Sequence, residues 1–158
     1  MDSPDNSDNL HDIACKFYDI DNFNSNFDNV NELSILNFNI RSLSKNLDSF
    51  LFFLDSLTTK FDFIVLTETW TTNFDKDLFS IPGYKSFHFV RQGRSGGGVA
   101  IYVKDCYSVD KIDINFDDDA DLEFVFVNVY FDKDNKNNYL TIGGIYRPPN
   151  SKSYEKQV

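Results

Sequence analysis

The run LSILNFN at residues 33–39, then IRSLSKNLDSFLFFLDSLTTK at 40–60 and FDFIVLT at 61–67, decides how this chain folds. The outer two pieces are short, apolar and strand-like. Between them Leu43, Leu47, Phe50, Leu51, Leu54 and Leu57 recur at spacings of three and four. That spacing predicts an amphipathic helix, with Ser42 or Ser44 as its N-cap. A strand, a helix and a strand in one short stretch form a βαβ unit, whose strands should run parallel through a right-handed crossover.

Downstream, residues 84–90, 99–103, 122–131 and 139–146 read as further strands, separated by turn-rich pieces at 91–98, 115–121 and 132–138, and so as antiparallel sheet. Residues 122–131 are apolar on both parities, with Leu122, Phe124 and Phe126 against Val125, Val127 and Val129. That pattern predicts a strand buried on both faces inside a layered α/β structure. Pro148-Pro149 should stop the last strand. Gly96-Gly97-Gly98 reads as a turn into a hairpin, because no Gly-Lys-Ser/Thr follows to make a phosphate cradle. The acidic pieces DDDAD at 117–121 and DKDN at 132–135 lack the glycine and closing glutamate of a calcium loop and read as solvated hairpin tips. Upstream, residues 1–32 are rich in Asp, Asn and Ser without a sustained period. They are expected to form a disordered leader with a short helical turn near residues 10–18.

Seventeen Phe and eight Tyr in 158 residues favour a packed domain over a disordered chain. No apolar run is long enough for a transmembrane helix, no signal peptide is visible at the N-terminus, and Cys15 and Cys106 form no CxxC pair. The expectation is an intracellular protein with two reduced thiols and no membrane partner. The net charge of −10 argues against nucleic acid only until it is mapped: residues 1–32 carry eight acids and one base, leaving −3 for the rest. A body so close to neutral can carry a local basic rim.

Three polar side chains share one placement. Asn39 ends the first strand, Glu68 ends the second, and Tyr146 ends the last. Sites in layered α/β folds gather at the carboxyl ends of strands, where separate elements converge. Taken singly, a turn Asn, a solvated Glu and a packing Tyr explain each.

The surrounding segments occur in a telling order: NFNIRSL at 37–43, LTETW at 66–70, IPGY at 81–84, Arg91 ahead of GGGVAIYV at 96–103, and IYRPPN at 145–150. This succession resembles the endonuclease/exonuclease/phosphatase superfamily, and within it the apurinic-like endonucleases of non-LTR (LINE-type) retrotransposons. The likeness runs from about residue 33 to 151 and covers the family's N-terminal half. It implies a layered α/β sandwich and a DNA endonuclease using Mg2+, or Mn2+ in its place. Glu68 resembles the metal-binding carboxylate, and Asn39 the amide that positions metal and scissile phosphate. Tyr146 resembles the tyrosine that hydrogen-bonds a phosphate oxygen. Arg41, Arg91, Arg147 and Asn150 stand where DNA contacts are expected, with ordinary surface arginines as the plainer reading.

The family's remaining chemistry, an Asp-x-Asn strand end and a terminal Ser-Asp-His, has no counterpart here. His11 lies in the acidic leader, and His88 sits between Phe87 and Phe89 in a strand, so neither replaces the missing histidine. Phosphodiester hydrolysis needs a positioned water as well as a metal. Little catalysis is therefore expected from the chain alone. Its partners would be DNA, the missing C-terminal half and a downstream reverse transcriptase, and its place of action the nucleus. Two alternatives stay open: a non-cleaving remnant or binding fragment, and a phosphatase of the same superfamily acting on a phosphoinositide or phospholipid. Half of a two-sheet domain would leave an apolar sheet face uncovered, which predicts poor solubility. A sharp, reversible unfolding transition from a monomer in solution would contradict that expectation.

Overall fold

The computed structural model describes residues 15–28, 32–91, 96–114, 122–132 and 137–149. The predicted βαβ unit is present. Strand β1 (Ile35–Asn39) and β2 (Phe63–Thr67) pair in parallel around helix α2 (Leu43–Ser56), in a register that sets Ile35 beside Phe63 and Asn39 beside Thr67. Ser42 occupies the N-cap position, yet its hydroxyl makes no capping bond. It is buried and shares a 3.0 Å hydrogen bond with Ser44 Oγ. Strands β3 (Tyr84–Phe89) and β4 (Val99–Lys104) add antiparallel to β2, giving the order β1-β2-β4-β3. A second, three-stranded sheet follows from β5 (Ser108–Ile112), β6 (Glu123–Tyr130) and β7 (Tyr139–Tyr146), in that order. Helix, four-stranded sheet and three-stranded sheet stack as an α/β sandwich.

The alternation along β2 and β4 explains the stacking. Ile64, Leu66, Ala100 and Tyr102 face α2 and pack with Leu43, Phe50 and Leu57. Phe63, Val65, Val99, Ile101 and Val103 face the other way, against Val125, Val127, Val129 and Ile142 of the second sheet. Each Val, Leu, Ile or Phe among these, fully removed from water, stabilises the fold by about 1.5–3 kcal/mol. The close approach needs Gly144: a Cβ there would lie 2.7 Å from Val99 Cγ1 and 2.9 Å from Val65 Cγ1.

Three expectations change. Strand β6 is not buried on both faces. Its odd residues, Glu123 to Val129, are buried, whereas Phe124, Phe126, Asn128 and Tyr130 are only partly covered, because the four-stranded sheet packs on one side of β6 alone. The doubly buried strands are β2 and β4. Strand β5 was missed because SVDKI is short and polar. The helical turn expected near residues 10–18 is absent from residues 15–18; residues 10–14 lie outside the described residues. Helix α1 instead spans Ile20–Phe27, with the Asp19 carboxylate accepting from Asn22 N. It docks through Phe23 on Phe61 and through Asn24, which donates to Ser56 O and accepts from Thr58 N. The acidic hairpin tips lie outside the described residues, apart from Asp132.

At the end of the sheet away from the strand termini of interest, Asp62 ties the layers together. It accepts from Ser34 N, from Lys104 Nζ at 3.0 Å and from Tyr107 Oη at 3.1 Å. Burial pushes its carboxyl upward, but the Lys104 and Ser34 bonds outweigh this and hold it below the ordinary carboxylate range.

His88 lies on the helix side of β3, edge-on to Tyr102, and neither ring nitrogen has a hydrogen-bond partner. Burial, helped by Lys76, lowers its pKa from 6.5 to about 4. The folded chain therefore favours the neutral ring. Between those two values the unfolded chain binds the extra proton, so stability is full above pH 6.5 and falls as the pH drops towards 4. The expected loss is roughly 2–3 kcal/mol by pH 4. Urea titrations across that range should show it, and His88→Phe should flatten the slope. A slope unaltered by the substitution would assign the acid sensitivity to other groups.

Candidate functional site

Parallel pairing brings the carboxyl ends of β1 and β2 side by side, and the two chains remain joined past the strands. Ile40 N donates to Thr67 O at 3.0 Å, Ser42 N to Glu68 O at 2.8 Å and Leu43 N to Thr69 O at 2.9 Å. The second loop is held from its other flank by the glycine run, where Trp70 N donates to Gly97 O and Thr69 N to Gly98 O. Four non-glycine residues of the described chain have positive φ, and all lie on these two loops: Arg41 (48°), Ser42 (89°), Glu68 (54°) and Trp70 (53°). Such conformations cost on the order of 1–3 kcal/mol each and persist where the surroundings enforce them, commonly at functional sites.

The conformation at residue 68 turns its side chain onto the rim. Glu68 Oε1 accepts from Asn39 Nδ2 at 2.9 Å and from Tyr146 Oη at 3.2 Å. The three residues singled out at three strand ends therefore meet at one oxygen. Asn39 is exposed, Glu68 and Tyr146 are half-buried, and Trp70, two residues on from Glu68, is exposed with Lys45 Nζ 6.0 Å from its ring. Burial and the adjoining Glu68 carboxylate push the Tyr146 phenol above its ordinary pKa.

Below the rim lies a feature that the sequence reading missed. Glu123, at the start of β6 and paired across the ladder with Tyr146, is buried. Its Oε1 accepts from Arg91 Nε and its Oε2 from Gly98 N. The signal was available: Glu123 shares its parity with Val125, Val127 and Val129, so a charge falls on the buried face of a strand. Arg91 is accordingly not displayed for a backbone contact. Its side chain is 19% exposed and turned inward to Glu123. Arg41 and Arg147 are exposed. Asn150 lies outside the described residues, and His88 lies on the helix-side face of the sheet with Ala100 and Tyr102.

Among the described residues no three His, Cys, Asp or Glu side chains gather as a metal cage. The rim offers one carboxylate, one amide and one phenol. That set suits a hard cation that keeps several waters and takes its remaining ligands from a phosphate-bearing substrate. It does not suit a structural zinc or calcium site. No protein-family model matches the chain, and no curated protein matches it either. Among the described residues no helix is long and apolar enough to cross a membrane.

The Tyr146–Glu68 contact has a measurable consequence. In metal-free buffer Glu68→Gln removes the neighbouring negative charge, so the Tyr146 phenol should titrate at lower pH than in the native chain. An NMR titration of the assigned tyrosine ring would read the shift. An unmoved titration would mean that the two side chains do not meet in solution.

Proposed function

We propose that the Asn39/Glu68/Tyr146 rim is the metal- and phosphate-handling part of a magnesium-dependent DNA endonuclease of the endonuclease/exonuclease/phosphatase type. Its role would be target-site nicking by a non-LTR retrotransposon. One observation carries this reading: Asn39 and Tyr146 both donate to Glu68 Oε1, although the three residues lie on three different strand ends. The enforced backbone at Glu68 and the order of the family-like segments support it.

In this reading Glu68 supplies the anionic oxygen that binds the cation, with Mn2+ able to replace Mg2+. The Asn39 amide fixes the carboxylate from one side and offers a neutral carbonyl beside an anionic substrate, adding no charge. The Tyr146 hydroxyl, whose single proton goes to Glu68 here, would turn that donor to a phosphate oxygen once the cation takes up the carboxylate. When bound, the cation supplies Lewis acidity at the phosphoryl group and compensates charge on the leaving oxygen. Arg41 and Arg147 would meet the duplex backbone from the exposed side of the rim. Work on chromosomal DNA would place the protein in the nucleus, with a reverse transcriptase acting on the cut end.

A second reading has its own support. Neither a histidine nor a second carboxylate joins Glu68 in the rim's hydrogen bonds among the described residues, so a fragment that binds metal or DNA without cleaving it fits the same geometry. The two separate experimentally. With the Asp-x-Asn and Asp-His segments present in the same polypeptide, supercoiled plasmid should be nicked in Mg2+. Glu68→Ala should slow nicking at least about 100-fold, since even outer-shell partners of a metal contribute 10–100-fold. Nicking that survives Glu68→Ala removes Glu68 from the metal site. A complete chain that binds duplex without nicking it favours the second reading.

A further inference from the structure

Glu123 and Arg91 form the one ion pair among the described residues that is withdrawn from solvent on both sides, with side-chain exposures of 6% and 19%. The other two pairs, Lys104–Asp62 and Lys60–Asp55, are more open. Taking a carboxylate and a guanidinium out of water is costly, and apolar side chains of similar volume often serve stability as well or better. Packing alone therefore does not account for this pair.

The bonds around it do. Glu123 divides its two oxygens between Arg91 Nε and the backbone N–H of Gly98. Gly98 O and the neighbouring Gly97 O receive Thr69 N and Trp70 N, the residues that follow Glu68. Glu68 O in turn receives Ser42 N. Hydrogen bonds thus lead from one buried carboxylate, through Gly98, to Thr69, the residue next in the chain to Glu68, whose own φ is positive. Glu123 is also the cross-strand partner of Tyr146, the second residue on the rim. The glycines let these groups close up. A Cβ on Gly97 would lie 2.5 Å from Glu123 Oε2 and 2.6 Å from Arg91 Cζ, and one on Gly98 would lie 2.4 Å from Thr69 Oγ1. Arg91 Nη2 is buried there without a hydrogen-bond partner, a further cost accepted at this spot.

We propose that Glu123 and Arg91 are positioning residues that set the Glu68 carboxylate through the Gly97-Gly98 backbone. The consequence for cation binding rests on the reading of Glu68 as the metal ligand; the mechanical part does not. Neither residue touches the cation or the phosphate. The pair fixes where Glu68 points, and it presses β6 and β7, with Tyr146, against the same loop.

Glu123→Gln keeps the size of the side chain and an acceptor for Gly98 N while removing the charge that holds Arg91; Arg91→Lys is the companion variant should the first fail to fold. Two measurements on the full chain decide the matter: amide hydrogen exchange by NMR, and Mn2+ affinity by electron paramagnetic resonance with the metal alone as probe. The expected result is faster exchange at Thr69 and Trp70, unchanged protection at Ile101 and Tyr102, and Mn2+ bound about 10-fold more weakly or worse. A uniform rise in exchange across both sheets would reduce the pair to a general stabiliser and overturn the proposal. Native exchange at Thr69 and Trp70 would overturn it as well, as would unchanged Mn2+ affinity in a chain whose Glu68→Gln variant has lost the metal. If the native chain takes up no Mn2+ while Glu123→Gln still loosens only the Glu68 loop, the positioning role stands and the metal reading of Glu68 falls.

Discussion

The rest of the structure depends on the parallel pairing of β1 with β2 and on its continuation past both strands. Within the strands the register is an ordinary parallel ladder ending at Asn39 and Thr67. Beyond them Ile40, Ser42 and Leu43 keep donating to Thr67, Glu68 and Thr69, so two loops that would otherwise wander are locked to each other. Leu43 and Ile40, both buried, anchor this junction in the helix-side core. The start of α2, the positive-φ turn at Arg41–Ser42 and the direction of Glu68 are set together. A slip of one residue in this ladder would exchange the two faces of β1 and carry Asn39 away from Glu68.

Much of this was legible in the sequence because it is periodic or terminal. The apolar spacing of α2, the alternation of β2, β3 and β4, and the prolines after Tyr146 are local signals, and the structure agrees with them to within a residue or two. Asn39, Glu68 and Tyr146 were visible for a different reason: a polar residue directly after an apolar run marks a strand end, and strand ends in such a fold converge. What escaped notice was relational. SVDKI becomes β5 only because β6 offers it an edge. Helix α1 carries no buried residue and depends on a few contacts through Phe23, Asn24 and Phe27 O. The outer face of β6 is as apolar in composition as the inner one, but burial depends on what lies opposite, which no run of residues declares.

Arg91 and Glu123 show the same limit at the site itself. An arginine in a glycine-rich segment reads as a surface cation, and Glu123 drew no reading at all. Their pairing across 32 positions buries Glu123 and turns Arg91 inward. The informative signal was parity, since Glu123 shares a face with three buried valines. A charged residue on a buried face must be neutralised by a partner, and that requirement points to an unassigned cation elsewhere in the chain.

The openness of the rim follows from unequal sheets. On β2 the residues facing the second sheet, Phe63 and Val65, are buried. Their neighbours on β1 in the same register are Ile35, which is 53% exposed, and Asn37, which is exposed too. Among the described residues β7 is the edge of the second sheet, and it packs over β2 and β4 but leaves β1 uncovered. The exposed Ile35 is the apolar cost of that arrangement, and the accessible Asn39 at the far end of the same strand is its chemical return. Under the proposed reading the rim would have to admit a phosphate and its hydration shell, which a roof formed by the second sheet would prevent. The three-residue site therefore sits where the four-stranded sheet extends past the three-stranded one, with Tyr146 reaching it from the last residue of the covering edge.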